Sequence, residues 1–148
     1  MAKWPGQKWL EQLMRQWHEP GTRHLSPREL AEQGENLAAT HLRRGGLKII
    51  ARNFRCEAGE VDIIARDGKV LVFVEVKARE SAESTPETAV DAQKRARVTG
   101  AAKVYLARYG ANPPAVRFDV VAIVWPRGRS PQLRHMPGAF EAEGPKSK

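Results

Sequence analysis

Residues 59–79, GEVDIIARDGKVLVFVEVKAR, carry Asp62, Glu75 and Lys77 inside two segments that otherwise read as apolar strands. Two acids and an amine in such a setting suit metal-assisted hydrolysis of a phosphodiester. RDGK between the segments is a hairpin signal. With Asp67-Gly68 as a two-residue turn, Ala65 faces Val70, Asp62 faces Phe73 and Glu60 faces Glu75. Asp62 and Glu75 then become diagonal neighbours on one face, with Cα atoms roughly 7 to 8 Å apart. A four-residue loop keeps that register, whereas a three- or five-residue loop turns Asp62 to the opposite face.

Val70, Val72, Val74 and Val76 alternate with Leu71, Phe73, Glu75 and Lys77, so both faces of this strand read as covered and the strand as central. A buried, uncompensated ion costs several kcal/mol, and two carboxylates sharing a site call for a cation. Oxygen ligands at this spacing favour Mg²⁺ or Mn²⁺. Lys77 lies about 6.6 Å beyond Glu75 on the same face, where it can hold or polarise the attacking water. The alternative is that the three charges form an ion-pair network at the strand ends or face solvent on a half-covered sheet.

The elements that must position these groups follow from capping and periodicity. Ser26 as N-cap, Pro27 and Glu29 open a helix that closes at Gly45 and Gly46. Leu30, Gly34, Leu37, Ala38, His41 and Leu42 form its apolar stripe, and Glu35 falls at the stripe's edge, where it can look into a cleft. Strands are expected over Leu47 to Arg55, Val61 to Arg66 and Val70 to Arg79. A second helix, capped by Asp91 or by Ser84-Thr85-Pro86-Glu87, buries Val98, Ala101, Ala102, Tyr105 and Tyr109 and stops at Gly110. Strands at 116–124 and Leu133 to Met136 follow, giving the order α, β, β, β, α, β, β.

Residues 26–140 thus form one domain, preceded by a basic extension over 1–25 carrying Trp4, Trp9 and Trp17 and followed by a disordered tail over 141–148. The extension's tryptophan stripe can serve as a partner or nucleic-acid contact, or pack on the domain. Lys and Arg number 25 against 17 Asp and Glu, a net charge of +8 that suits a polyanionic partner. One cysteine, Cys56, excludes an internal disulfide framework and fits a reducing compartment. With no apolar run long enough to span a bilayer, the expectation is a soluble, cytoplasmic protein without a membrane partner.

Gly34-Glu35, Asn53-Phe54-Arg55, Gly59-Glu60-Val61-Asp62, Phe73-Val74-Glu75-Val76-Lys77-Ala78-Arg79, Lys94, Arg117-Phe118-Asp119-Val120 and Ala139-Phe140 resemble the bacterial YraN family. That family is grouped with the PD-(D/E)xK, restriction-endonuclease-like superfamily, and its order of acidic residues is similar to that of archaeal Holliday junction resolvases. The resemblance implies an α/β/α sandwich on a mixed sheet. Carried over by position, it implies Glu35, Asp62 and Glu75 as ligands of Mg²⁺ or Mn²⁺ and Lys77 as the catalytic lysine. Val61 stands where the superfamily's name places Pro. The resolvase likeness also implies a homodimer, for which no surface is legible.

Lys94, Arg95 and Arg97 at the start of the second helix, with Arg55 and Arg79 beside the site, are the candidate phosphate contacts. A solvated helix face is the competing explanation for the first three. Asp119 reads as a structural hydrogen-bonding residue, and Glu60 as an auxiliary ligand or a turn residue. His41 reads as a core or interface histidine and His135 has no identifiable partner. The expected function is divalent-metal-dependent cleavage of DNA, which is favoured over RNA, at branched or non-duplex structures. The alternative is a nucleic-acid-binding module that retains the nuclease fold without turnover.

Overall fold

A computed structural model describes residues 8–10, 25–81 and 92–142. The helix α1, Pro27–Arg44, starts at the expected capping box: the Ser26 amide donates to Glu29 Oε2 at 2.8 Å, and the Glu29 amide donates to Ser26 Oγ at 3.1 Å. Three strands follow, β1 (Lys48–Cys56), β2 (Gly59–Asp67) and β3 (Val70–Arg79). The helix α2 (Ala92–Leu106) and a 3₁₀ turn (Ala107–Tyr109) then lead to β4 (Val116–Val124) and β5 (Gln132–Phe140).

The strands lie side by side in sequence order, with β3 in the centre as its two apolar faces predict. β3 and β4 are parallel and the other neighbours antiparallel, because α2 provides the crossover that a parallel pair requires. Leu37, Ala38 and Leu42 of α1 pack over Ile63, Ala65, Val72, Val74, Val121 and Ile123. On the other face, Val98, Ala101, Ala102 and Tyr105 of α2 cover Val61, Ile64, Leu71, Phe73 and Phe118. The result is a three-layer α/β/α arrangement on a mixed sheet, consistent with a restriction-endonuclease-like fold.

The hairpin register differs from the expected one. Asp67 pairs with Val70, and the turn is Gly68-Lys69, with Gly68 at φ 60° in the first central position, where a positive φ is needed. Ile63 therefore faces Val74, Ile64 faces Phe73 and Ala65 faces Val72. Asp67 stays out of the turn because Arg117 of β4 holds its carboxylate, Nη1 to Oδ2 at 2.9 Å. The register moves by two residues, so every side chain keeps its face while its partner changes. β5 is also longer than the expected Leu133 to Met136. It accommodates Pro137 because an edge strand tolerates a missing amide. Tyr109 lies in the 3₁₀ turn and is only half-buried.

From the N-terminal extension, Lys8, Trp9 and Leu10 are helical. Leu10 is buried in the α1-side core, and Trp9 lies 6.1 Å from the His41 ring with the Arg44 guanidinium 5.1 Å over it. Trp4, Trp17, the caps sought at Asp91 and at Ser84 to Glu87, and residues 143–148 of the tail lie outside the described residues. Among the described residues, no helix is long and apolar enough to cross a membrane.

Two close approaches fix the helices on the sheet. A Cβ on Gly34 would stand 2.8 Å from Ala78 Cβ, so α1 sits directly on the end of β3. Gly59, at φ 151°, brings β2 close beneath α2, and a Cβ there would lie 2.2 Å from the Arg97 carbonyl oxygen. Gly59→Ala should cost roughly 2 to 4 kcal/mol, as backbone strain adds to overlap with immovable backbone atoms. Urea denaturation checks this, and an unchanged midpoint would contradict the packing described.

Candidate active site

The β2–β3 ladder runs from the turn to Ile63 and Val74. Past that pair a side chain takes over from the backbone: Asp62 Oδ2 accepts the Val76 N–H at 2.8 Å. Carried one step further, the observed register sets Asp62 opposite Glu75, and their carboxyl groups share a hydrogen bond. Directly opposed side chains are closer than the diagonal neighbours the sequence reading expected.

The regular alternation of faces also breaks at this level. Ile63 packs on the α1 side and Val61 on the α2 side, although they are two residues apart. On β1, Asn53 adopts φ 53°, a conformation that Asn tolerates better than most residues. Arg52 thereby reaches Asn36 of α1, and Phe54 packs edge-on against Tyr105 of α2. The sheet opens into a fork whose floor is Asp62 and Glu75.

Each helix brings a charged group to this fork. Lys94, near the start of α2, places Nζ 2.5 Å from Oε1 of Glu75, which is only 2% exposed. From α1, Glu35 follows Gly34, and its Oε1 is buried without a hydrogen-bond partner. Arg52 Nη2 is 3.8 Å from that oxygen and bonds Asn36 Oδ1 at 2.8 Å, while Asn53 hydrogen-bonds the Glu35 carboxyl.

Burial raises the proton affinity of all three acids and is the largest cause in each. For Glu35 and Glu75 the charge of Asp62 adds to it, and Glu75 is pushed up to about 7 even though Lys94 pulls the other way. Asp62 stays above the usual range although the Val76 N–H, Lys94 and the bond to Glu75 oppose the rise. Burial works against the Lys94 ammonium, but Glu75, Asp62 and Glu60 outweigh it and hold the group above its ordinary value. Lys77 is shifted down by burial and by the Lys94 and Arg79 charges, with Glu75 opposing. Three acids are thus buried together, with their charged forms disfavoured.

Among the described residues, no three His, Cys, Asp or Glu side chains are gathered to grip a metal ion as they stand. Asp62 and Glu75 touch, and the Asp62 charge acts on Glu35. The chemistry of the donors nevertheless suits a hard divalent cation: all are carboxylate oxygens, one is orphaned, and burial leaves all three with raised proton affinity.

The structure therefore brings Asp62, Glu75 and Lys94 into contact and sets Glu35 and Lys77 beside them. Arg97 joins Glu60, Gln93, Lys94 and Val98 around an adjoining polar pocket of about 300 Å³. Arg95 is half-buried and not among the residues lining that pocket. Arg55 extends outward to Glu60 at 3.2 Å, and Arg79 ends β3 with Nε buried and without a hydrogen-bond partner. Glu60 pairs with Arg55 across β1–β2, and the observed β2–β3 register sets Glu75 opposite Asp62 instead of the expected Glu60. Asn36 and the left-handed Asn53 were missed as supports of Glu35; an Asn inside a strand pattern was the available signal for the second.

Asp119 has the structural role its position suggested. Fully buried in β4, it accepts from Arg117 Nε at 2.8 Å and Nη2 at 3.0 Å and from the Gly138 amide at 3.0 Å, and it lies 2.7 Å from His135 Nε2. Burial disfavours its charge, yet these bonds outweigh that cost and hold its carboxyl below the usual range. Asp119 is thus the partner of His135 that the sequence did not reveal. His41, 6.0 Å from the His135 ring, is half-buried, and burial, followed by the nearby His135, lowers its proton affinity.

Fold and site together define an α/β protein with an acidic, lysine-flanked fork between β2 and β3. The chain belongs to the UPF0102 family, the YraN family of the resemblance: the model of the uncharacterised protein family UPF0102 matches residues 34–123, which include Glu35, Asp62, Glu75, Lys77 and Lys94. A UPF0102 protein of Geobacter metallireducens is 46% identical over 118 residues, 79% of this chain and 96% of the relative. One from Symbiobacterium thermophilum is 49% identical over 117 residues, 78% and 98% of the two chains. One from Streptomyces griseus is 45% identical over 111 residues, 74% and 93%.

Because folding raises the proton affinity of Glu75, its contribution to stability is full below about pH 4.5 and is lost as pH rises through about 7. The stability difference between wild type and Glu75→Gln should therefore shift against the wild type across that window. Urea denaturation at a series of pH values measures it. A difference independent of pH would contradict the shared-proton arrangement.

Proposed function

We propose that this protein is a divalent-metal-dependent nuclease of the PD-(D/E)xK type that hydrolyses phosphodiesters in DNA, including branched and other non-duplex structures. The observation that carries this reading is the opposition of Asp62 and Glu75 at a fork in the sheet, with Lys77 and Lys94 beside them. The order of a helix-borne Glu35, then Asp62, then Glu75-x-Lys77 also supports it, being similar to the order in archaeal resolvases. Val61, in place of the superfamily's Pro, is fully buried in the α2-side core, so the departure affects packing and leaves the acids where they are.

Mg²⁺ or Mn²⁺ held by Asp62, Glu75 and Glu35 would neutralise charge on the phosphate oxygens and acidify the attacking water. Lys77, an ammonium with lowered proton affinity, hydrogen-bonds and orients that water. The water gives up a proton to solvent as its oxygen bonds to phosphorus, the ester bond to the leaving oxygen breaks, and the leaving oxygen takes a proton from solvent. Lys94, Arg97 and Gln93 face the phosphates, with Arg55, Arg79 and Arg95 adding to the positive field. Action on both strands of a junction calls for a second copy of the chain, and a cytoplasmic location belongs to the same reading.

A second reading has one observation in its favour: Lys94 already neutralises Glu75, as a non-catalytic nucleic-acid-binding protein would require. Purified protein with Mg²⁺ or Mn²⁺ should cleave at least one of duplex, single-stranded, flapped or four-way DNA. Asp62→Ala, Glu75→Ala and Lys77→Ala should each lower the rate roughly a hundredfold or more. Cleavage that persists in Asp62→Ala and Lys77→Ala would contradict the assignment. Salt-sensitive binding that survives chelation, without cleavage, would favour the second reading.

A further inference from the structure

Lys94 occupies the place where the acids most need a cation. Its Nζ bonds the buried Glu75, its charge reaches Asp62 and Glu60, and its ammonium lies within hydrogen-bonding reach of Lys77. Two ammonium groups sharing one corner is unfavourable, and it persists only because the acids demand positive charge. Lys94 is nevertheless the more accessible partner of the Glu75 bond. Its side chain is 36% exposed against 2% for Glu75, and it ends on a flexible stem near the start of α2. The same residue also lines the 300 Å³ pocket with Gln93 and Arg97, a pocket that neither Asp62 nor Glu75 lines.

We propose that Lys94 is an exchangeable counter-ion: it holds the Asp62–Glu75 pair in the metal-free protein, and a divalent ion displaces it into the adjoining pocket, where it meets a substrate phosphate beside Arg97 and Gln93. This rests on the nuclease reading and adds a coupling to it. A doubly charged ion and an ammonium cannot both bond Glu75 without strong repulsion, so metal binding and release of Lys94 are one event. A phosphate in the pocket draws Lys94 off Glu75 and thereby favours the metal. By linkage the metal favours the phosphate to the same degree. Lys94 is here a positioning residue and a gate on metal entry.

The test is a calorimetric titration of the full-length, metal-free protein with Mn²⁺ at alkaline pH, where protons do not compete. It is run with and without a short phosphorothioate DNA oligonucleotide. Lys94→Met should bind Mn²⁺ roughly tenfold more tightly than wild type when DNA is absent, within the usual range of coupling between sites. The oligonucleotide should tighten Mn²⁺ binding several-fold more in wild type than in Lys94→Met, where only the direct attraction between metal and phosphate remains. Lys94→Gln, which keeps a polar group at the position, should behave like Lys94→Met and guards against a folding defect in either variant. Equal or weaker Mn²⁺ binding by both variants, with binding in wild type still abolished by Asp62→Asn, would overturn the exchange and leave the nuclease reading standing. Mn²⁺ binding that Asp62→Asn does not affect would overturn both.

Discussion

The site depends on a single hydrogen bond. Asp62 Oδ2 takes the Val76 N–H that a continuing β-ladder would have claimed, and so β2 and β3 part while remaining tied. A backbone carbonyl in that place would have kept the sheet closed and turned the carboxylate elsewhere. Because a side chain makes the bond, the acid is drawn against Glu75 of the central strand, and the repulsion between the two must be balanced from outside the strands.

The surrounding fold supplies the balance and the rigidity. The opposing core faces lock β3 between α1 and α2, so Glu75 cannot turn away to solvent. Gly34 lets α1 approach β3 closely enough for Glu35 to face the fork, and Gly59 lets β2 pass beneath α2 near Lys94. The Asp119 cluster fastens β4 to β5, and Arg117 extends from it to the hairpin turn at Asp67. Breaking the Arg117–Asp119 pair from one side would cost roughly 3 to 5 kcal/mol, because it would leave the buried Asp119 charge uncompensated. The register that opposes Asp62 to Glu75 is thus set in part by an ion pair at the far end of the hairpin.

This division explains what could be read from the sequence. The order of elements, the Ser26–Glu29 capping box, the central β3 and the shared face of Asp62 and Glu75 all follow from local periodicity and were legible. The pairing of Asp62 was not, because the choice between Asp67-Gly68 and Gly68-Lys69 as the turn is decided by Arg117, fifty residues away in sequence. Lys94 was legible as a cation near phosphate but not as the partner of Glu75, since that contact depends on where α2 begins relative to the sheet. His135 appeared isolated because its partner, Asp119, lies on the neighbouring strand with a register irregularity between Phe118 and Val120.

We propose that the carboxylate oxygens gathered at the fork hold a divalent cation. A crystal soaked in Mn²⁺ and measured at the manganese absorption edge tests it most directly. The account predicts one anomalous peak within coordination distance of both Asp62 and Glu75. No peak at that place, together with the two carboxylates turned to opposite faces of the sheet, would contradict it.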